Sequence, residues 1–346
     1  MVYSSSFIWS NYIFKTPYHF VIMQSIFIIM GFFIMKFISN IDYNAYKNSS
    51  NKILILCVLL LILVLIPGVG KVRNGSRSWF GLGGFGLQPS ELAKIGLIIF
   101  VSKYLSKNER DMPSFKKGVL PILLVIGFIF FLIMLEPDFG TGMIITMTAL
   151  TMVFISKANF SFIYKLSIFG VVLIGILILM APYRLERILS FLNPWKDPLG
   201  SGFQIIQSLY AIGPNGLLGA GFLNSVQKNF YLPEPETDFI FSIISEEFGF
   251  LGVLIVTSFF LYIFYISMKI FFKTSDLFGK YLVFGLSFGI ILQAILNLSV
   301  VVGLIPVTGV TLPFISYGGS SLISSFLSIG IILNVEKNEK KQKNLE

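Results

Sequence analysis

Nine long apolar runs dominate the sequence, at about 18–39, 53–69, 90–106, 119–135, 140–156, 164–181, 239–268, 281–303 and 311–334. A helix rising 1.5 Å per residue needs about 20 residues to cross the hydrocarbon core of a bilayer. The shorter runs therefore borrow flanking residues at their ends. Charged residues make up only 12% of the chain, about half the share in a soluble domain, and too few to cover a globular surface. A soluble enzyme is excluded, and so is a disordered chain, because 37 Phe accompany the apolar runs. The expected fold class is all-α: a polytopic integral membrane protein whose residues 1–346 form one domain.

Nine spans place the two termini on opposite sides of the membrane. The tail 336–346 holds Lys337, Lys340, Lys341 and Lys343, which favours a cytoplasmic C-terminus. Alternation then puts 40–52, 103–118, 157–165 and 269–280 inside. With Lys36 and the tail, those regions hold 17 of the 26 Lys and Arg residues. The net charge of +9 is thus mostly a topological signal, and no nucleic-acid partner is expected. The outside loops are 1–17, 70–89, 136–140, 182–238 and 304–310. The large loop 182–238 far exceeds the usual length of a connection. Within it, apolar residues at 203, 205, 206, 209, 210 and 212 predict a short amphipathic helix at the interface. One Cys (Cys57) and one His (His19) exclude an internal disulfide and a Cys/His zinc site.

Acids and bases mix on the outer face. Asp238 lies in Tyr231-Leu-Pro-Glu-Pro-Glu-Thr-Asp-Phe-Ile-Phe241, where a Pro-stiffened loop meets an apolar helix. Thr237 or Asp238 suits a helix cap; Asp238 equally suits a general base at the membrane surface. Glu136 and Asp138 fall in a tight turn, Leu135-Glu-Pro-Asp-Phe-Gly140, where they serve turn chemistry or orient a substrate or cation. Lys71, Arg73 and Arg77 depart from the inside bias of positive charge. They either snorkel beside Trp79 or bind a phosphate or pyrophosphate. Arg184, Arg187, Lys196 and Lys228 complete the basic set with Lys15. Glu91 and Lys94, spaced i, i+3 inside a predicted span, and the pair Glu246–Glu247 are intramembrane charges. Such groups are functional candidates by default, with an ion pair that fixes packing as the alternative. Prolines and paired glycines between Gly303 and Ser321 imply non-helical backbone at membrane depth, which survives only when buried in protein or lining a wet cavity.

Five stretches resemble the SEDS family (shape, elongation, division and sporulation proteins). They are Arg73-Asn-Gly-Ser-Arg-Ser-Trp79 with Gln88-Pro-Ser-Glu-Leu-Ala-Lys94; Glu136-Pro-Asp-Phe-Gly-Thr141; Asn193-Pro-Trp-Lys-Asp-Pro-Leu-Gly-Ser-Gly-Phe-Gln204; Tyr231 to Phe241 with Glu246-Glu247; and Pro306-Val-Thr-Gly-Val-Thr-Leu-Pro-Phe-Ile-Ser-Tyr-Gly-Gly-Ser-Ser321. The third and fourth are most similar to the FtsW/SpoVE branch, so division or sporulation is favoured over elongation. The resemblance implies the SEDS fold of ten helices. In the family, Met-Val-Tyr-Ser-Ser-Ser closes the first helix. Here Met1-Val-Tyr-Ser-Ser-Ser6 opens the chain, so the first helix is expected to be largely missing through a start assigned too late.

The resemblance further implies a peptidoglycan glycosyltransferase that polymerises lipid II on the outer face of the cytoplasmic membrane, with a class B penicillin-binding protein as partner. Asp238 matches the family's essential Asp and is expected to be the base. Arg77, supported by Arg73, Lys71 or Lys228, is expected to neutralise the pyrophosphate. Glu91, Lys94, Glu136, Asp138 and Ser316 are expected to shape the cavity. A divalent cation such as Mg2+ could share the neutralising task, although no metal-ligand set is evident. The competing functions are a lipid II flippase and a non-catalytic scaffold of the division complex.

Overall fold

A computed structural model describes residues 1–73, 75–82, 85–179 and 182–343. The chain is helical almost throughout, and among the described residues a helix covers each of the nine apolar runs: α2 (His19–Ile38), α3 (Tyr43–Leu65), α4 (Pro89–Lys107), α5 (Leu120–Leu135), α6 (Phe139–Phe154), α7 (Phe160–Leu179), α10 (Ile240–Lys273), α11 (Leu277–Val301) and α12 (Gly319–Lys343). Three further helices are α1 (Val2–Phe14), α8 (Pro182–Leu192) and α9 (Phe203–Ile212). The amphipathic helix expected at 203–212 is α9.

Four differences from expectation have local causes. The loop expected at 1–17 is mostly helix α1, ended by Lys15 in the left-handed region at φ 56°. Helix α3 begins about ten residues before its apolar run because Asp42 caps it, accepting from the Asn44 N–H at 3.0 Å. The last span begins at Gly319 rather than 311, because Pro313 has no N–H for a helical ladder. Residues 70–87 are not loop but a three-stranded antiparallel meander, β1 (Gly70–Arg73), β2 (Ser76–Leu82) and β3 (Phe85–Leu87). The fold remains mostly helical, with this small sheet added.

The chain groups into two compact units. The first comprises Met1–Ile26, Lys165–Tyr262 and Gln293–Gly318; the second comprises Phe27–Tyr164, Ile263–Leu292 and Gly319–Glu346.

In the second unit α4 packs against α3, α5, α6 and α12. Ala93, Leu97, Val101 and Leu105 repeat every four residues along it and are fully or nearly fully buried. Ile122, Ile126, Ile129 and Ile133 give α5 a matching buried stripe at helical spacing. In contrast, Ile29 and Phe33 on α2 are 57% and 66% exposed, which suits a lipid-facing surface and would not suit water. Several helix hydroxyls bond back into their own helices, as where Ser102 Oγ donates to the Ile98 carbonyl at 2.7 Å.

In the first unit α10 is broken at Gly249, which adopts φ 60° and ψ −151°. The break exposes backbone groups that need partners. Ala220 and Gly221 N–H donate to the Glu246 and Glu247 carbonyls at 2.8 and 3.0 Å. Phe250 N–H returns a bond to the Gly216 carbonyl at 3.0 Å. A Cβ on Gly219 would lie 2.4 Å from Glu247 backbone atoms, so two glycines permit the helix and the large loop to be laced together.

Candidate active site

Asp238 stands two residues ahead of α10 in the first unit. Its segment is anchored by buried apolar chains on both sides, Leu232 before it and Phe239, Ile240 and Phe241 after it. Three successive carbonyls of this segment accept hydrogen bonds. Glu236 O accepts from Tyr317 N–H at 2.8 Å, Thr237 O from Ser316 Oγ at 2.5 Å, and Asp238 O from Asn297 Nδ2 at 2.7 Å. Ser316 Oγ also accepts from Leu312 N–H at 2.8 Å, and the Ser316 carbonyl accepts from Gln24 Nε2 at 3.0 Å. The Asp238 carboxylate lies beside Gly309, where a Cβ would stand 3.7 Å from Oδ2. Glu236, two residues away, is buried, and burial together with the charge of Glu234 pushes its carboxyl up to about 7 against a backbone hydrogen bond that lowers it.

Lys228 is placed differently from a solvent-facing phosphate ligand. Its side chain is 2% exposed and pairs with Glu247 Oε1 at 2.7 Å. It also donates to Ser4 Oγ at 3.1 Å, and Ser4 Oγ donates in turn to Glu247. Glu246 accepts from Ser225 Oγ at 2.6 Å and Val226 N–H at 2.7 Å. The two adjacent glutamates therefore tie the 225–228 turn to α10. Arg187 of the outer basic set donates to the Val307 carbonyl at 3.0 Å; the side chain of Arg184 lies outside the described residues.

In the second unit, the meander carries Lys71, Arg73 and Arg77. Gly81 and Gly86 face one another across β2 and β3, leaving a strip without side chains. A Cβ on Gly81 would strike the Lys71 stem, and one on Gly86 would meet Trp79 and the Arg73 guanidinium. Arg73 lies over the Trp79 ring at 5.0 Å, a cation–π contact that holds it without neutralising it. Arg77 Nη1 reaches the Leu65 carbonyl at 3.5 Å, near the C-terminus of α3. Lys71 and Arg73 are exposed, and Arg77 is half-buried.

Glu91 and Lys94 form an ion pair at 2.8 Å with side chains 7% and 9% exposed, on the first turns of α4. Ser324 Oγ on α12 donates to the Glu91 carbonyl at 3.4 Å. Asp138 caps α6, accepting from Thr141 N–H at 3.1 Å, and takes further bonds from Gln88 Nε2 at 2.8 Å and Ser90 Oγ at 3.5 Å. Burial raises its carboxyl, opposed by the bonds from Thr141 and Gln88. Its turn chemistry is thus realised, and it also links the start of α4 to the start of α6.

Glu136 is fully buried; among the described residues neither carboxyl oxygen has a partner. Burial first, and the charge of Asp138 second, push it up to about 9. It therefore holds a proton at neutral pH. Between its ordinary value of 4.5 and about 9, the folded chain keeps a proton that the unfolded chain has lost. The stability contributed by this group accordingly declines as pH rises through that window. Glu136→Gln is expected to raise the unfolding midpoint in detergent at pH 8–9 and to flatten its fall with pH. An unchanged slope would show that Glu136 is ionised in the fold.

No three His, Cys, Asp or Glu side chains among the described residues are placed to hold a metal ion.

Serially apolar helices that enclose paired charges, and glycine-broken backbone at membrane depth, define an integral membrane protein with polar sites built into its helices. The chain belongs to the FTSW_RODA_SPOVE family, described as cell cycle protein, whose pattern matches residues 1–341. Stage V sporulation protein E of Bacillus subtilis strain 168 is 47% identical over 97% of this chain and 92% of its own length. A probable peptidoglycan glycosyltransferase FtsW of Coxiella burnetii is 40% identical over 97% and 91%. Among solved structures, a chain of a peptidoglycan synthase complex that coordinates polymerization and crosslinking matches with TM-score 0.78 and 29% identity, covering 98% of this chain and 95% of that one. The rod shape determining protein RodA of Thermus thermophilus matches with TM-score 0.69 and 25% identity, covering 98% and 94%. The SEDS fold expected from the motifs is therefore present.

Proposed function

We propose that this chain is a peptidoglycan glycosyltransferase that polymerises lipid II at the outer face of the cytoplasmic membrane, with its C-terminus inside. The observation that carries this reading is the match, along 97% of the chain, to a relative named as a probable peptidoglycan glycosyltransferase.

Asp238 is the general base. It takes the proton from the 4-hydroxyl of the acceptor sugar as that oxygen attacks the anomeric carbon of the lipid-linked donor. The bond from that carbon to the pyrophosphate oxygen breaks, and polyprenyl pyrophosphate leaves. One displacement converts an α-phosphate into a β-glycoside, so a single base and stabilisation of the leaving group suffice. Arg77, Arg73 and Lys71 stabilise the pyrophosphate; the side-chain-free strip and Trp79 leave room for Lys71 and Arg73 to lie across it. Lys228, committed to Glu247, holds the 225–228 turn in place. Glu91, Lys94, Glu136 and Asp138 shape the polar interior of the second unit, and Ser316 that of the first.

A class B penicillin-binding protein is the partner. The likeness to a chain from a complex that couples polymerization to crosslinking supports this assignment. The large loop 182–238 faces outward in this reading.

The test is reconstitution of the purified chain in vesicles with fluorescent lipid II and a class B penicillin-binding protein. Muramidase-sensitive strands are expected. Movement of lipid II between leaflets without strands would make the chain a carrier, and neither activity would make it a scaffold.

A further inference from the structure

Asn297 lies near the C-terminal end of α11, in Leu292-Gln-Ala-Ile-Leu-Asn-Leu-Ser-Val-Val301, and is 1% exposed. An amide in such a setting is costly unless its hydrogens find acceptors. Both do: Nδ2 donates to the Asp238 carbonyl and to the Val310 carbonyl, each at 2.7 Å. Those carbonyls belong to segments 72 residues apart in sequence, so one amide joins the segment before α10 to the loop before α12.

We propose that Asn297 is a positioning residue for Asp238, fixing its backbone, and with it the direction of its carboxylate, against the 303–318 loop. The inference rests on the reading of Asp238 as the base. The clamp has three points. Tyr317 N–H holds residue 236, Ser316 Oγ holds residue 237 and Asn297 holds residue 238. Asn297 acts on the peptide that follows the Asp238 Cα directly, and it draws Val310, beside Gly309, to the same point. Ser316 acts on the preceding peptide, so its removal leaves the far side of the Asp238 Cα pinned.

Gln293 is a second buried amide on α11 that reaches this loop. One helical turn earlier on the same face of α11, its Nε2 donates to the Thr311 carbonyl at 3.0 Å. It ties down the same loop.

The experiment compares Asn297→Ala, Asn297→Asp and Asp238→Asn in lipid II polymerisation by the full chain with a class B penicillin-binding protein. Asn297→Asp keeps the side-chain volume while turning an acceptor toward two carbonyls. Both Asn297 variants are expected to lose about 10- to 100-fold in kcat, the range associated with a misplacement of about 1 Å. The KM for lipid II is expected to stay within about two-fold and the unfolding midpoint near that of the parent. Full kcat in the Asn297 variants would overturn the inference. So would a joint decline of kcat, lipid II binding and unfolding midpoint, or failure of both variants to fold, since either would make Asn297 a support of the fold as a whole. If Asp238→Asn is itself active, the reading of Asp238 fails; if it is inactive while both Asn297 variants are fully active, only the positioning inference fails.

Discussion

Asp238→Asn should abolish strand synthesis, lowering kcat by about 10²- to 10⁴-fold, the usual contribution of a positioned general base, without unfolding the chain. The substitution keeps side-chain shape and removes only the capacity to accept the proton of the acceptor hydroxyl. The backbone around it is held by main-chain acceptance from Asn297, Ser316 and Tyr317, which the substitution leaves in place, so the segment should keep its position. The measurement is initial rate against lipid II concentration, with the unfolding midpoint recorded on the same preparation. The loss should fall on kcat with KM little changed. A variant that keeps more than a tenth of the parent's kcat would move the base elsewhere, with the buried Glu236 first in line.

Lys228→Met should give the largest loss of stability. Removal of the ammonium leaves Glu247, whose side chain is 0% exposed, as a buried charge without its counterion. Breaking such a pair typically costs about 3–5 kcal/mol. Serine hydroxyls and main-chain N–H groups remain, but Ser4 and Ser225 supply dipoles rather than a charge. The double variant Lys228→Met/Glu247→Leu should regain most of the loss, because an apolar pair of similar volume often replaces a buried ion pair at no net cost. A double-mutant cycle on unfolding in detergent measures the coupling. If Lys228→Met unfolds like the parent while strand synthesis fails, then Lys228 belongs with the pyrophosphate ligands after all.

The sequence made the helices legible because each apolar run of bilayer length can satisfy its backbone in lipid only as a helix. It also disclosed α9, since six apolar positions in ten residues repeat at helical spacing. The strands were not legible. At four, seven and three residues, they alternate too briefly to register, and their glycines read as turn signals. The break at Gly249 was hidden inside a continuous apolar run, because its cause is distant: it requires Gly219 from the large loop. The site divides in the same way. Asp238, Arg77 and the Glu91–Lys94 pair stand out as charges where charges are expensive. Asn297 and Ser225 do not, because an uncharged amide or hydroxyl shows its purpose only through partners 59 and 21 residues away. Lys228 was visible as a charge, but its commitment to Glu247 depends on how the turn folds back onto α10.

Single displacement with one base, the proposed route from lipid-linked sugar to strand, inverts the anomeric carbon, so the configuration of the bond formed reports on it. Lipid II is incubated with the purified chain and a class B penicillin-binding protein whose transpeptidase is blocked, and the product is digested with a muramidase specific for β-linked strands. Single displacement yields strands that the muramidase cleaves completely to disaccharide units. Strands that resist the enzyme because they are α-linked, or lipid II recovered unpolymerised, would contradict it.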